Sequence, residues 1–181
     1  METSNKISTA PKENKFFMGW LAIFLLITGL RGGMLLLMCG FILTSESYSI
    51  NVFSLVSSFV SVWNIIYFLG VAAFTTYTII AFSNKRSNAV FLGKSTVIFL
   101  FLSYCLISLG MGQDSKGLSF FVEALLELII WFAYLCRSQQ VADWFPTKDR
   151  RVLKRDKYMV VALTIIAVSL IIMIVNSRLC F

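Results

Sequence analysis

Five long apolar blocks constrain this chain more than any other feature. They run from about Phe16 to Leu43, within Val52–Phe82, and over about Ser95–Met111, Leu118–Cys136 and Tyr158–Val175. A helix rises about 1.5 Å per residue and the bilayer hydrocarbon is about 30 Å thick, so each block is long enough to cross once. The expected fold class is all-α: a polytopic helical membrane bundle with about five transmembrane helices. The second block exceeds one perpendicular crossing, which puts its start, Tyr48–Ser58, at or beyond the interface. Neither Pro11 nor Pro146 falls inside a block.

Composition agrees. Of 181 residues, 58% are apolar and 14% charged, against about 45–50% and about 25% in soluble domains. The mean hydropathy is +0.82. One membrane domain fills the chain, with little mass left over. The expected divisions are a polar cytoplasmic tail (1–15), a four-helix membrane core (16–136), a basic interfacial segment (137–157) and a fifth span with a short outer tail (158–181).

The net charge of +7 points to membrane orientation rather than to nucleic acid. The N-terminal tail carries Lys6, Lys12 and Lys15. The second connection carries Lys85, Arg86 and Lys94, and the fourth carries Arg137, Lys148, Arg150, Arg151, Lys154, Arg155 and Lys157. Five crossings put these thirteen on one face and leave only Lys116 and Arg178 on the other. Basic loops stay in the cytoplasm, so the N-terminus is expected inside and the C-terminus outside. The fourth connection also carries Trp144 and Phe145, a mixture suited to a headgroup layer with anionic lipid. The first block is expected to be kept as a span, because it is too long for a signal peptide and no small-x-small site follows it.

Catalytic constellations are scarce. The chain has no histidine, and Cys39, Cys105, Cys136 and Cys180 form no CxxC pair. Ordinary Cys/His metal sites and histidine-based triads are thereby excluded. No metal, cofactor or enzymatic activity is expected.

Three ionisable residues fall within spans: Arg31, Glu123 and Glu127. A charge in hydrocarbon costs about 2.5–3.5 kcal/mol even on the mildest scale, so such groups pair or face a cavity. Counted from Phe16, Arg31 lies about 22 Å deep; counted from Leu118 on the opposite face, Glu123 and Glu127 lie about 8 and 14 Å deep. The two acids are four residues apart and share a helix face. Arg31 is therefore expected to pair with one of them in the outer half of the bundle, as a helix lock or as a ligand or partner site. Gly29, Gly32 and Gly33 surround it, and Gly29 with Gly33 makes a small-xxx-small pair suited to close helix packing. The missing side chains would otherwise open space beside Arg31. Ser54, Ser57, Ser58, Ser61 and Asn64 form a polar stripe on the second span, expected to make interhelical hydrogen bonds or to line an outward-opening cavity.

One stretch carries a resemblance. Trp131, Tyr134, Ser138, Val141 and Phe145 stand at the spacings W-x-x-Y-x-x-x-S-x-R-V-x-x-x-F, and Gly19-Trp20-Leu21 opens the first span. This resembles a family of small bacterial membrane proteins catalogued as domain of unknown function 2569, which includes the YdgK-like proteins. The resemblance covers about Phe17–Phe145, with Arg31 corresponding loosely to a family arginine. Gln139 and Gln140 stand where the family has basic residues, and the fifth span lies beyond the family core. It implies a helical bundle in a bacterial inner membrane and no particular chemistry.

The expected role is a non-enzymatic accessory or interaction subunit in that membrane. Its partners would be the lipid bilayer and another membrane protein or a second copy, with no nucleic acid. The alternatives are a small-solute binder or transporter with a polar outer-half cavity, and an immunity protein against a membrane-active toxin.

Overall fold

The computed structural model describes residues 19–45, 54–111 and 115–179. The expected polar tail, 1–15, lies outside them. The described chain is helical: α1 (Trp20–Ser45), α2 (Ser54–Ser83), α3 (Ala89–Met111), α4 (Ser115–Arg137), α5 (Gln139–Trp144), a 3₁₀ turn (Thr147–Asp149) and α6 (Lys154–Leu179). Five of these are long and apolar enough to cross a membrane. The protein is a multi-pass helical membrane protein.

Two boundaries differ from the sequence expectation. α3 starts at Ala89, six residues before Ser95, so Lys94 belongs to the helix and not to a connection. Its ammonium sits 5.7 Å from the centre of the Phe132 ring, because a lysine stem can lie along apolar surface while its charge stays at the edge. α6 likewise starts at Lys154, four residues before Tyr158. The basic connection between α4 and α6 is thus short and partly helical.

α2 and α3 form the centre. α1 packs on α2, α4 on α3, and α6 on both α2 and α3. That leaves α1 and α4 facing one another across a seam. α2 and α3 are joined by Thr78 and Thr96, both fully buried, whose hydroxyls lie 2.7 Å apart. Each also reaches a carbonyl one turn back, Phe74 and Leu92 respectively. In lipid such bonds join helices where apolar surface supplies no net driving force.

Close approach uses glycine at two places. A Cβ on Gly93 would stand 2.8 Å from the Phe82 ring and 3.3 Å from Leu135. The Phe82 ring cannot retreat easily, being held edge-on by Phe24 at 5.8 Å and Phe145 at 5.3 Å. Between α1 and α2, a Cβ on Gly32 would meet Thr75 at 3.0 Å and one on Gly29 would meet Ile79 at 3.4 Å. Gly33 faces open space. The packing pair is therefore Gly29 with Gly32, not Gly29 with Gly33. The reason is helical phase: residues 29 and 32 share the face that α2 approaches, and Gly33 turns past it. Gly93→Ala is expected to cost roughly 1–3 kcal/mol by overpacking, and Gly33→Ala to be neutral or slightly stabilising. Thermal unfolding in mild detergent checks the contrast; equal melting temperatures would mean that Phe82 yields freely.

The turn from α2 to α3 is strained. Lys85 has φ of 50°, a left-handed conformation usually given to glycine. The Arg86 N–H donates to Ala81 O at 2.9 Å and the Lys85 N–H to Phe82 O at 3.0 Å, a Schellman closure. The strained residue aims its ammonium at Trp144, 3.9 Å from the ring centre. The Arg151 N–H donates to Ser87 O at 3.2 Å. The α2–α3 turn and the α4–α6 connection are thereby tied into one basic end.

Candidate functional site

Arg31 is the hub of the seam. Its Nη2 lies 2.8 Å from Glu123 Oε1 and 2.5 Å from Glu127 Oε1, so one guanidinium serves both acids. Its Nη1 donates to the hydroxyl of Tyr104 on α3 at 2.6 Å, and the guanidinium carbon stands 4.9 Å from that ring's centre. α1 and α4 are thus bridged by side chains, with α3 as the floor of the cleft.

Among the described residues the α1 span runs Trp20–Phe41 and the α4 span Leu118–Arg137, and Arg31 and Glu127 lie near the middle of those stretches. Mid-span charge is the most expensive placement in a membrane.

The three side chains are not equally enclosed. Arg31 is 18% exposed and Glu127 31%, but Glu123 is 59% exposed. Around Glu123, α4 presents Val122, Leu126, Ile129 and Ile130 to the surroundings. Two carboxyl groups thus share one guanidinium, and Glu123 is the one on the outward side of the seam. Behind Arg31, between α1, α3 and α4, lies a cavity of about 20 Å³ lined by Thr28, Arg31, Tyr104, Glu127 and Trp131 among others. That is room for about one water molecule.

The other expected features fall elsewhere. The backbone of Ser54, Ser57, Ser58 and Ser61 belongs to α2, while their side chains lie outside the described residues. Asn64 is partly buried, and its Oδ1, like Thr75 Oγ1, has no hydrogen-bond partner among the described residues. Gly29 and Gly32 serve the α1–α2 contact. Cys39, Cys105 and Cys136 are free thiols. No group of three or more Cys, Asp or Glu among the described residues is clustered to hold a metal.

The residues that carry the family resemblance gather near the basic end. Phe145, Phe82, Phe24, Trp131 and Tyr134 form a continuous series of ring contacts between 5.3 and 6.0 Å. Val141 is buried. Ser138 is the break between α4 and α5, extended in backbone and without a side-chain cap. The Tyr134 hydroxyl donates to Gln140 Oε1 at 2.9 Å, and that same amide lies against Gly19, where any Cβ would collide with it. Gln140 therefore joins the start of α1 to the end of α4. Trp20 points outward.

Two functional groups escaped sequence reasoning. Tyr104 carried a signal, since it lies within the third span opposite the depth of the acids, but tyrosines are common here. Asp156 had none. It is fully buried at the start of α6, accepts from Asn88 Nδ2 at 2.5 Å and from the Tyr77 hydroxyl at 3.3 Å, and anchors α6 to α2 and α3. No protein-family model, curated protein or solved structure matches the chain.

Proposed function

We propose that this protein is a non-enzymatic accessory component of a bacterial inner membrane that docks a second membrane protein along the α1–α4 seam. The observation that carries the reading is Glu123: a carboxyl group 59% exposed toward the surroundings of α4, sharing the Arg31 guanidinium with Glu127. A carboxylate directed at hydrocarbon is costly, and a partner that covers it with a donor removes the cost. The complementary partner is a transmembrane helix bearing a lysine, an arginine or a hydroxyl or amide donor. A second copy of this chain or a membrane-active toxin is one case of such a partner.

The thirteen-to-two division of basic residues supports a cytoplasmic N-terminus and an external C-terminus in this reading. Kinship with the domain 2569 family is part of the same proposal. It rests on the sequence alone, on Gly19, Trp20, Trp131, Tyr134, Ser138, Val141 and Phe145 at the family's spacings. The cavity beside Arg31, about 20 Å³, favours docking over enclosure of a small solute.

Glu123→Gln separates docking from folding. Arg31 keeps Glu127 and Tyr104, so the melting temperature should stay close to wild type, a surface change costing within about 0.5 kcal/mol. Recovery of a stoichiometric partner in mild detergent should fall severalfold. Recovery of the wild-type protein as a lone monomer from its native membrane, across several detergents, would overturn the reading.

A further inference from the structure

The basic end carries an arrangement that membrane orientation alone does not require. Arg86, in the α2–α3 turn, and Arg155, in the first turn of α6, both lie against the ring of Tyr77. Their guanidinium carbons stand 5.9 and 5.4 Å from its centre. Arg155 Nη2 also donates to the Tyr77 hydroxyl at 2.7 Å. Among the described residues, the ion pairs closer than 4 Å are those of Arg31. Neither Arg86 nor Arg155 has a carboxylate at that range. The nearest acid in the hydrogen-bond chain, Asp156, is reached through Tyr77 and turns inward onto Asn88. Two cations are therefore held against one ring with donors left over, since a guanidinium offers five N–H groups.

The strained turn contributes to this. Lys85 adopts a left-handed backbone without being glycine, and the following residue, Arg86, is thereby delivered to Tyr77. Apolar surface continues from the pair. Tyr158 and Ile165 are exposed on the face of α6 below Arg155, at helical spacings of three and ten residues. α6 is one of the five candidate spans, beginning at Lys154, so Arg155 stands at the boundary where a headgroup lies and the apolar track runs where an acyl chain lies.

The geometry points to Arg86, Arg155 and Tyr77 as a binding site for the phosphate of an anionic phospholipid. A phosphate oxygen takes charge-assisted hydrogen bonds from guanidinium and balances the positive charge the two side chains carry. The acyl chains continue along Tyr158 and Ile165 on α6. Basic pockets between membrane helices hold anionic headgroups in this way. The site is independent of the Arg31 seam and stands or falls separately.

The test uses the full-length protein in neutral detergent, read by native mass spectrometry and by thermal shift. The probes are phosphatidylglycerol, phosphatidylcholine and inorganic phosphate. Phosphatidylglycerol should bind and raise the melting temperature, with phosphatidylcholine and inorganic phosphate doing neither. In Arg86→Gln/Arg155→Gln the affinity for phosphatidylglycerol should fall roughly tenfold or more. In the charge-matched control Lys148→Gln/Lys157→Gln it should fall less than about threefold. If the double variant fails to fold, Arg86→Gln alone keeps the test, because its side chain makes no hydrogen bond among the described residues. Equal losses in the two pairs, or inorganic phosphate binding as well as the lipid, would overturn the site.

Discussion

Arg31→Ala is expected to be the most damaging single substitution in the membrane core. It strands Glu123 and Glu127 on one helix face with no counter-ion and removes the partner of the Tyr104 hydroxyl. Breaking a fully buried pair costs about 3–5 kcal/mol because the surviving charge is left uncompensated. Here Glu123 is 59% exposed, so a loss of about 2–3 kcal/mol is expected. Removing both sides should restore much of it: Arg31→Met/Glu123→Gln/Glu127→Gln leaves no lone charge and keeps the shapes. Double-mutant cycles in detergent unfolding resolve the hub. Coupling of Arg31 to Glu127 should exceed its coupling to Glu123, since Glu127 is the more enclosed partner and the closer one. A cycle with no coupling to either acid would remove Arg31 as the lock of the seam.

Asp156→Ala is expected to loosen α6 as a unit. Asn88 is almost fully buried, and loss of its acceptor strands the Asn88 amide at a cost of about 1–3 kcal/mol. A negative side chain in the first turn of α6 also complements the helix dipole, worth about 0.3–1 kcal/mol. What would still hold α6 is its apolar contact at Ala167 and Leu170. A cysteine placed at Ala167 should therefore react faster with maleimide in the Asp156→Ala background. Asp156→Asn, which keeps the shape and one acceptor oxygen, should fall between the two. Unchanged labelling together with an unchanged melting temperature would show that α6 stays docked without this anchor.

The apolar blocks and their connections are local features, and local reading captured them. Five spans follow from length and composition, because a helix crosses hydrocarbon by satisfying its own backbone. The boundaries at Ala89 and Lys154 were less legible. Lys94 and Lys157 depress local hydropathy, yet a long stem lets either residue lie within a helix end. The meeting of Arg31 with Glu123 and Glu127 was also readable. Charges in mid-membrane are few, the acids share a face by their four-residue spacing, and opposite charges in hydrocarbon have strong reason to meet.

The faces of the helices were a different matter. α1, α3 and α6 carry their polar residues without forming an amphipathic stripe. Lipid and core are equally apolar, so hydropathy does not distinguish the side that packs from the side that meets acyl chains. Only α4, with its acids, shows a marked polar side. For this reason Gly32 rather than Gly33 proved to be the contact on α2, and open space lies beside Gly33.

The sequence by itself determined an all-helical chain of five membrane-length segments, with basic connections on one side and a charged group within the spans. It did so because length, hydropathy and charge spacing are properties of neighbours along the chain. Tertiary structure decided that the charged group is a mid-span hub completed by Tyr104, 73 residues from Arg31. It also decided that Asp156 is anchored by Asn88 and Tyr77, 68 and 79 residues away. Those partnerships depend on how uniformly apolar helices rotate against one another, and small residues, paired hydroxyls and ring contacts in the assembled bundle set that rotation.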